Sequence, residues 1–234
     1  MGQYYNPQIA TSGLIACFDF GNVRSYSGAG ITFNNIVTPS FGGTFVNSPT
    51  YSSNNAGYLT FAQSSSQYGI FPDFGRALTS FTLEAWFYLN SLPAINTVQA
   101  LITQQFTGSN VINFTLGFNG VDGTGAYDGK VNGGFWNGSW KLTAGFTPVI
   151  NVWYYTAITY DGTTLNQYKD GDLLNSKSTT ATLTSGSTFN YLMRRWDDTN
   201  FVDGRLSIAR IYDRALSATE IKENYLANKG RYGA

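Results

Sequence analysis

Two aromatic stretches carry the side chains that could recognise a sugar. Aromatic faces stack on the apolar C–H side of a sugar ring, while Asn, Asp and Arg groups bond its hydroxyls from loops. The first stretch, "GTGAYDGKVNGGFWNGSWKL", supplies Tyr127, Asp128, Trp136, Asn137 and Trp140. The second stretch, "RRWDDTN", supplies Arg195, Trp196, Asp197 and Asp198. Both stretches fit a glycan site, but both also fit the simpler interpretation of inward-facing aromatics flanked by turn residues.

The sequence gives little support for a catalytic site or for a metal site. The chain contains no histidine, which excludes Ser-His-Asp, Cys-His and histidine-metal arrangements within one chain. Glycoside hydrolysis needs two carboxyl groups across a cleft, whereas Glu84, Glu220 and Glu223 stand isolated on one strand or on a helix. Asp122 to Asp128 lacks the EF-hand spacing, which favours a polar hairpin loop over a calcium loop. We therefore expect no enzyme activity, no cofactor and no metal.

The amino-acid composition argues against several classes of binding partner. Charged residues make up 12% of the 234, with 14 basic and 14 acidic side chains, so neither a nucleic-acid footprint nor an electrostatic membrane surface is implied. The only cysteine, Cys17, cannot form an internal disulfide and is expected to be a buried thiol without a neighbouring cation. The start "MGQYYNPQIATSG" lacks signal-peptide features, and no apolar run reaches transmembrane length. We expect a soluble protein made in a cytoplasm.

The elements that must position these side chains are strands. "FTLEAWFYL" and "WYYTAITY" alternate with aromatics on both faces, which predicts strands covered on both sides. Asp161-Gly162 and Asp170-Gly171 are tight-turn signals that predict two consecutive hairpins. Further strands are predicted at "LIACFDF", "GYLTF", "ALITQQF", "NFTLGF", "KVNGGFW", "YLMRRW" and "GRLSIARIY". A dozen or so such strands predict an all-β sandwich of two antiparallel sheets.

One short C-terminal helix follows the last strand. Ser217 is a preferred N-cap residue, and Glu220 three positions later completes a capping box. Leu216 and Ile221 are placed to form a hydrophobic staple, and Ile221 and Tyr225 share the face that packs on the sandwich. Gly230 is expected to end the element. These features predict a closure element that carries no ligand contact.

Four stretches, in order, resemble the laminin-G-like domains of the concanavalin A-like lectin/glucanase superfamily. They are "GLIACFDFGNVRSYSGAGITFNNI", "FTLEAWFYL", "WYYTAITYDGTTLNQYKDG" and "FVDGRLSIARIYDRALSATEIKENY". The resemblance implies a jelly-roll sandwich over residues 13–229, preceded by an arm, residues 1–12, and followed by a tail, residues 230–234. Relatives often carry acidic residues after "YLTF" and Asp in the last strand, where this chain has Ala62 to Gln67 and Ser207, which puts the calcium site of some relatives in doubt.

The opening stretch, "YLMRRWDDTNFVDGRLS" and "ENYLANKGRYG" look more narrowly like laminin-G-like domains of bacteriophage structural proteins. That resemblance implies a non-catalytic virion component, a capsid decoration or fibre protein, assembled in the host cytoplasm and displayed on the virion surface. Its partners would be other virion proteins, through residues 1–12, and cell-surface glycans bound weakly. The alternative is a dedicated carbohydrate-binding module without an assembly role.

Overall fold

The architecture is a sandwich of two eight-stranded sheets with one α-helix. The computed structural model describes residues 7–74, 78–106, 112–120, 127–180, 183, 187–195 and 200–233. The strands are β1 (Leu14–Asp19), β2 (Thr32–Phe33), β3 (Gly43–Val46), β4 (Thr50–Ser52), β5 (Tyr58–Phe61), β6 (Tyr68–Pro72), β7 (Phe81–Leu89), β8 (Val98–Phe106), β9 (Ile112–Asn119), β10 (Asn132–Trp136), β11 (Trp140–Leu142), β12 (Trp153–Tyr160), β13 (Thr164–Lys169), β14 (Asp172–Ser178), β15 (Ser187–Leu192) and β16 (Gly204–Tyr212). The helix α1 spans Ala218–Leu226.

Both sheets are antiparallel at every strand pair that the structure describes. Sheet A has the order β14-β13-β12-β7-β16-β5-β4, and β1 also pairs with β16. Sheet B has the order β11-β10-β9-β8-β15-β6-β3-β2. The expected all-β jelly-roll sandwich is thereby confirmed, as are the consecutive hairpins β12–β13 and β13–β14.

Aromatic side chains fill the space between the sheets. Phe81, Phe114 and Phe135, from β7, β9 and β10, are fully buried, and the Phe81 ring contacts the other two. The other face of β7 carries Trp86, which is also fully buried. The alternation in "FTLEAWFYL" therefore has the predicted meaning, since sheet A is covered on both faces.

The cover over the outer face of sheet A is α1 with its flanking segments. The Ser217 hydroxyl accepts a hydrogen bond from the Glu220 backbone N–H, and the Glu220 carboxylate accepts one from the Ser217 N–H, so the predicted capping box is confirmed. Ile221 is buried against Trp86 and Tyr155 in one apolar cluster. Gly230 was expected to end the helix, but α1 ends at Leu226, and Gly230 lies inside a separate 3-10 turn, Lys229–Arg231.

A buried polar network lies between sheet A and α1. The Glu84 carboxylate pairs with Arg210 at 3.2 Å and accepts hydrogen bonds from the Tyr155 hydroxyl at 2.7 Å and the Asn224 amide at 2.6 Å. Glu84 was expected to lack a second carboxyl group beside it, and the partners named here are an arginine, a tyrosine and an asparagine from distant parts of the chain. Cys17 is buried as expected, but it pairs in register with Arg210, so a cation does neighbour it. Burial nevertheless raises the pKa of the Cys17 thiol.

The described part of the N-terminal arm, residues 7–12, contacts this layer. The Ala10 N–H donates to the Asn224 side chain at 2.7 Å, and the Tyr212 hydroxyl donates to the Ala10 carbonyl at 3.1 Å. The Arg214 guanidinium donates to the Ser12 carbonyl at 2.9 Å. Ala10 is thus bonded to β16 and α1, and Ser12 to the segment that joins them.

The structure differs from the sequence-based predictions in several strands. The predicted strand "YLMRRW" runs instead over Ser187–Leu192 and stops at Met193, whose positive φ of 62° breaks the extended backbone. Strands β2, β3, β4, β6 and β11 were not predicted from the sequence.

No helix within the described ranges is long and apolar enough to cross a membrane.

Candidate functional site

The β10–β11 hairpin, residues 132–142, carries two of the predicted sugar-binding aromatics, and we call it the tryptophan hairpin. Gly134 makes the pairing possible, because a Cβ on it would lie 1.8 Å from the Lys141 carbonyl oxygen. Gly138, with φ of 68°, sits at the turn. Trp136 and Trp140 are directly opposite each other in the register. The local sequence therefore brings the two indoles together.

The two indoles form a pair on the outer face of sheet B. Their rings meet edge to face, with centroids 5.4 Å apart and an interplanar angle of 77°. Phe135, directly before Trp136 in sequence, points into the core, so side-chain alternation places Trp136 on the opposite face. Both indoles are partly exposed and pack against the buried Val98 of β8. The predicted pair is therefore partly open to a ligand and backed by a rigid strand.

A row of buried amides supports the base of the hairpin. The Asn119 side chain donates to the Asn132 side-chain oxygen at 2.7 Å, and the Thr115 hydroxyl donates to Asn119 at 3.3 Å. All three residues are fully buried. Buried polar groups that satisfy one another fix the register of β9 and β10, and with it the position of the tryptophans.

Tyr127 lies beside the hairpin, in a cleft of about 390 Å³. The cleft also contains Lys130, Leu142 of β11 and Lys177 of β14, so it lies where an edge of sheet B meets an edge of sheet A. The Asp128 carboxylate already has a partner within the chain, because it accepts a hydrogen bond from the Asn96 N–H at 3.0 Å. Asn137, at the hairpin turn, is exposed.

The second predicted stretch lies elsewhere on sheet B. Arg195 follows β15, which is three strands away from β10, a separation of about 14 Å at ordinary strand spacing. Its N–H donates to the Asn200 carbonyl at 2.7 Å. Trp196, Asp197 and Asp198 lie outside the described residues. Arg195 and the tryptophan hairpin are accordingly two separate groups.

Sequence reasoning missed the neighbouring Arg194. Its guanidinium lies 4.4 Å from the Tyr68 ring and 4.2 Å from the Tyr191 ring, and the side chain is buried. This cation–π contact holds the strand ends together and leaves Arg194 inaccessible to a ligand. A signal for it existed in "YLMRR", but only the fold brings Tyr68 next to it.

Within the described residues, no group of three or more Cys, Asp or Glu side chains is close enough together to hold a metal ion. Ser207, the position where relatives often carry Asp, donates to the Gly57 carbonyl at 2.5 Å and accepts from the Tyr232 hydroxyl at 2.8 Å. Asp122 lies outside the described residues.

Comparison with known proteins identifies the fold family. Residues 62–222 match a laminin G family model whose description is the concanavalin A-like lectin/glucanases superfamily. No curated protein sequence matches significantly.

Solved structures share the sandwich at low sequence identity. Domain 4 of the extracellular arabinanase AbnA from Geobacillus stearothermophilus, in complex with arabinotriose, superposes with a TM-score of 0.70 at 16% identity, covering 93% of this chain and 100% of that one. Trypanosoma rangeli sialidase in complex with sialic acid gives 0.68 at 15% identity, covering 97% of this chain but 35% of that one. The binding domain of botulinum neurotoxin serotype G gives 0.58 at 15% identity, covering 91% and 50%. At these identities the likeness concerns the fold alone.

Proposed function

The chain belongs to the concanavalin A-like lectin/glucanases superfamily, and we propose that it is a non-catalytic recognition protein that binds glycans at the tryptophan hairpin. The observation that carries the proposal is the edge-to-face pair of Trp136 and Trp140, partly exposed on the outer face of sheet B. Such a pair offers flat apolar surface for a sugar ring, and Asn137 and Tyr127 add polar groups nearby. Asp128 contributes by holding the Asn96 loop beside them.

Absence of catalysis is part of the proposal. Glu84 is sequestered in the ion pair with Arg210, and Glu220 is held in the capping box with Arg214. A glycosidase needs one carboxyl group that can give a proton and a second one across the sugar. Neither of these glutamates faces the tryptophan hairpin, which supports binding without cleavage.

The experiment is a glycan array followed by titration of the strongest ligand. The array includes carboxylated as well as neutral glycans, because Lys130 and Lys177 line the adjacent cleft. Trp136→Ala and Trp140→Ala are each expected to weaken binding at least about tenfold, which corresponds to ~1.4 kcal/mol. Phe189→Ala is the matched control, because this exposed aromatic lies on sheet B three strands from β10.

Three results decide the matter. Unchanged affinity in both tryptophan variants, with circular dichroism showing intact folding, contradicts the proposal. Lack of binding to the whole array also contradicts it. Release of reducing sugar during incubation with the bound glycan would contradict the non-catalytic part.

For the biological setting we propose a virion component, a phage capsid decoration or fibre protein that displays this sandwich on the particle surface. The support is the resemblance of "GLIACFDFGNVRSYSGAGITFNNI" and "ENYLANKGRYG" to phage structural proteins, together with a charged share of only 12%. Its partners would be other virion proteins, contacted through residues 1–12, and assembly would take place in the host cytoplasm. A dedicated carbohydrate-binding module without an assembly role is the alternative.

Mass spectrometry of purified particles separates these settings. A fixed copy number of the chain per particle supports the virion setting, and its absence from the particles contradicts it. Attachment through the arm is tested by deleting residues 1–6, because residues 10–12 are bonded to the sandwich and their removal would confuse attachment with folding.

A further inference from the structure

A second cleft, of about 510 Å³, lies on sheet A where β12 begins and β13 turns into β14. We call it the aromatic cleft. Its lining residues come from the start of β12 and the residues just before it, the β13–β14 turn, α1 and the C-terminal segment, and include Asn151, Trp153, Asp170, Tyr225 and Tyr232. The volume is in the range of small-molecule sites, which run from roughly 300 to 1,000 Å³.

The aromatic rings of this cleft are held in place by buried neighbours. Tyr232 stacks on the fully buried Trp86, with centroids 4.1 Å apart, and touches Trp153 at 4.9 Å. Tyr225 lies nearly parallel to Trp86, at 5.6 Å and 11°. A ligand that stacks on these rings therefore meets a surface that needs little reorganisation, which favours affinity.

Polar groups in the cleft have unused hydrogen-bonding capacity. The indole N–H of Trp153 and the hydroxyl of Tyr225 make no hydrogen bond within the described chain. The Asp170 carboxylate accepts one hydrogen bond, from the Tyr155 N–H at 3.1 Å, and its second oxygen lies 3.8 Å from the Lys169 ammonium, beyond hydrogen-bonding distance. Two donors and one acceptor thus stand beside apolar rings.

This combination fits a neutral saccharide better than a cation. Sugar hydroxyls both donate and accept, so they match the Trp153 and Tyr225 donors and the Asp170 acceptor. Each tyrosine ring already has a cation of the chain near it: the Lys222 ammonium, paired with Asp172, lies 5.5 Å from the Tyr225 ring, and the Arg231 guanidinium, paired with Asp19, lies 5.6 Å from the Tyr232 ring. A cationic ligand would have to share these rings with groups that the ion pairs hold in place.

We propose that the aromatic cleft is a second saccharide-binding site, on the opposite sheet from the tryptophan hairpin. Trp153 and Asp170 lie within the residues 62–222 that match the family model, whereas Tyr225 and Tyr232 lie beyond them. With both sites occupied, one molecule would bridge two glycan chains. The proposal goes beyond the function proposed for the hairpin and does not depend on it.

One spectrum reports on both sites separately. The chain has five tryptophans, so the ¹⁵N-labelled protein gives five indole N–H signals that single Trp→Phe variants assign. Titration uses neutral trisaccharides of arabinose, glucose and N-acetylglucosamine. The aromatic cleft predicts a saturable shift of the Trp153 signal, whereas binding at the hairpin shifts Trp136 and Trp140. Failure of one site is therefore distinguishable from failure of the other.

Two conservative variants test the named polar groups without removing a ring. Asp170→Asn keeps a residue that tolerates the positive φ of 50° at this turn and removes the charge. Tyr225→Phe removes only the free hydroxyl. Each variant is expected to weaken the Trp153 titration by about three- to tenfold, the usual effect of one hydrogen bond. Tyr51→Phe, on β4 at the far edge of sheet A, is the matched control and should leave the titration unchanged.

Several outcomes overturn the proposal. One is a Trp153 signal that no trisaccharide shifts. Another is a titration that both variants leave as strong as in the wild type. A third is a Trp153 shift produced by tetramethylammonium chloride at lower concentration than by any trisaccharide, because it would assign the cleft to cations.

Discussion

Glu84 and Arg210, 126 positions apart in sequence, form an ion pair across the adjacent strands β7 and β16, and each side chain is no more than 2% exposed. The carboxylate also binds the Tyr155 hydroxyl and the Asn224 amide, so one group joins sheet A to α1. Burial, and after it the negative charge of Glu84, raises the pKa of Tyr155 well above its usual value and keeps its hydroxyl a hydrogen-bond donor.

The first prediction concerns the charge of Glu84. Glu84→Gln keeps the shape but leaves the buried Arg210 charge uncompensated, and we expect a loss of about 3–5 kcal/mol in the free energy of unfolding. Urea denaturation followed by fluorescence measures it. The control is Asp172→Asn, which breaks the exposed Lys222–Asp172 pair and should cost at most about 1 kcal/mol. Equal losses in the two variants would show that the buried Glu84–Arg210 pair contributes no more to stability than the exposed Lys222–Asp172 pair.

The second prediction concerns the start of α1. Ser217→Ala removes the hydroxyl that accepts from the Glu220 N–H, and we expect a loss of ~1 kcal/mol. Thr219→Ala, at an exposed position in the same turn, is the control and should change stability by less than about 0.5 kcal/mol. The same decrease in melting temperature for both variants would contradict a capping role for the Ser217 hydroxyl.

The third prediction concerns acid stability. Hydrogen bonds from the Arg214 guanidinium lower the pKa of Glu220 from 4.5 to about 2. Because the folded pKa lies below the unfolded one, the stabilisation is present above pH 4.5 and is lost as the pH falls towards 2.

Glu220→Gln tests this dependence, because glutamine preserves the capping box while removing the charge. The wild type should exceed the variant in stability near neutral pH, and the difference should vanish as the pH falls from 4.5 towards 2. A difference that stays constant over that window would rule out the carboxylate charge as its cause.

The fourth prediction concerns the N-terminal segment. Deleting residues 1–12 removes the Ala10 groups that bond Asn224 and Tyr212 and exposes part of the α1 layer, so the melting temperature should fall. Deleting residues 1–6 leaves those bonds in place and should have a clearly smaller effect. Identical melting temperatures for the two deletions would mean that residues 10–12 do not stabilise the sandwich.

Local chemistry accounts for the parts of the fold that were predictable. The hairpins at Asp161-Gly162 and Asp170-Gly171 and the cap at Ser217 each depend on a few consecutive residues, so their sequence signals are complete in themselves. Strand β15 was misplaced because nothing local to "YLMRRW" shows that Met193 adopts positive φ. Short strands such as β2 and β4 owe their pairing to neighbours rather than to their own pattern.

The candidate sites also contain residues that the sequence alone brings together and residues that only the fold brings together. Trp136 and Trp140 are four positions apart, so the sequence alone placed them in one candidate site, whereas the β10–β11 hairpin that pairs them was not predicted. The aromatic cleft was missed because Trp153, Asp170 and Tyr232 are brought together only by the fold. The buried Glu84 network was missed for the same reason, since a carboxylate in a strand gives no sign of a cation that arrives from β16.

The position of β16 has a consequence for how the protein is made. Of the strands in sheet A this one is synthesised last, yet it lies in the middle of the sheet, between β7 on one side and β5 and β1 on the other. Until residue 212 has emerged, the nascent chain holds the two halves of that sheet as separate pieces with unpaired edges. Unpaired strand edges promote aggregation, so the nascent chain carries this risk until β16 emerges and joins the two halves of the sheet.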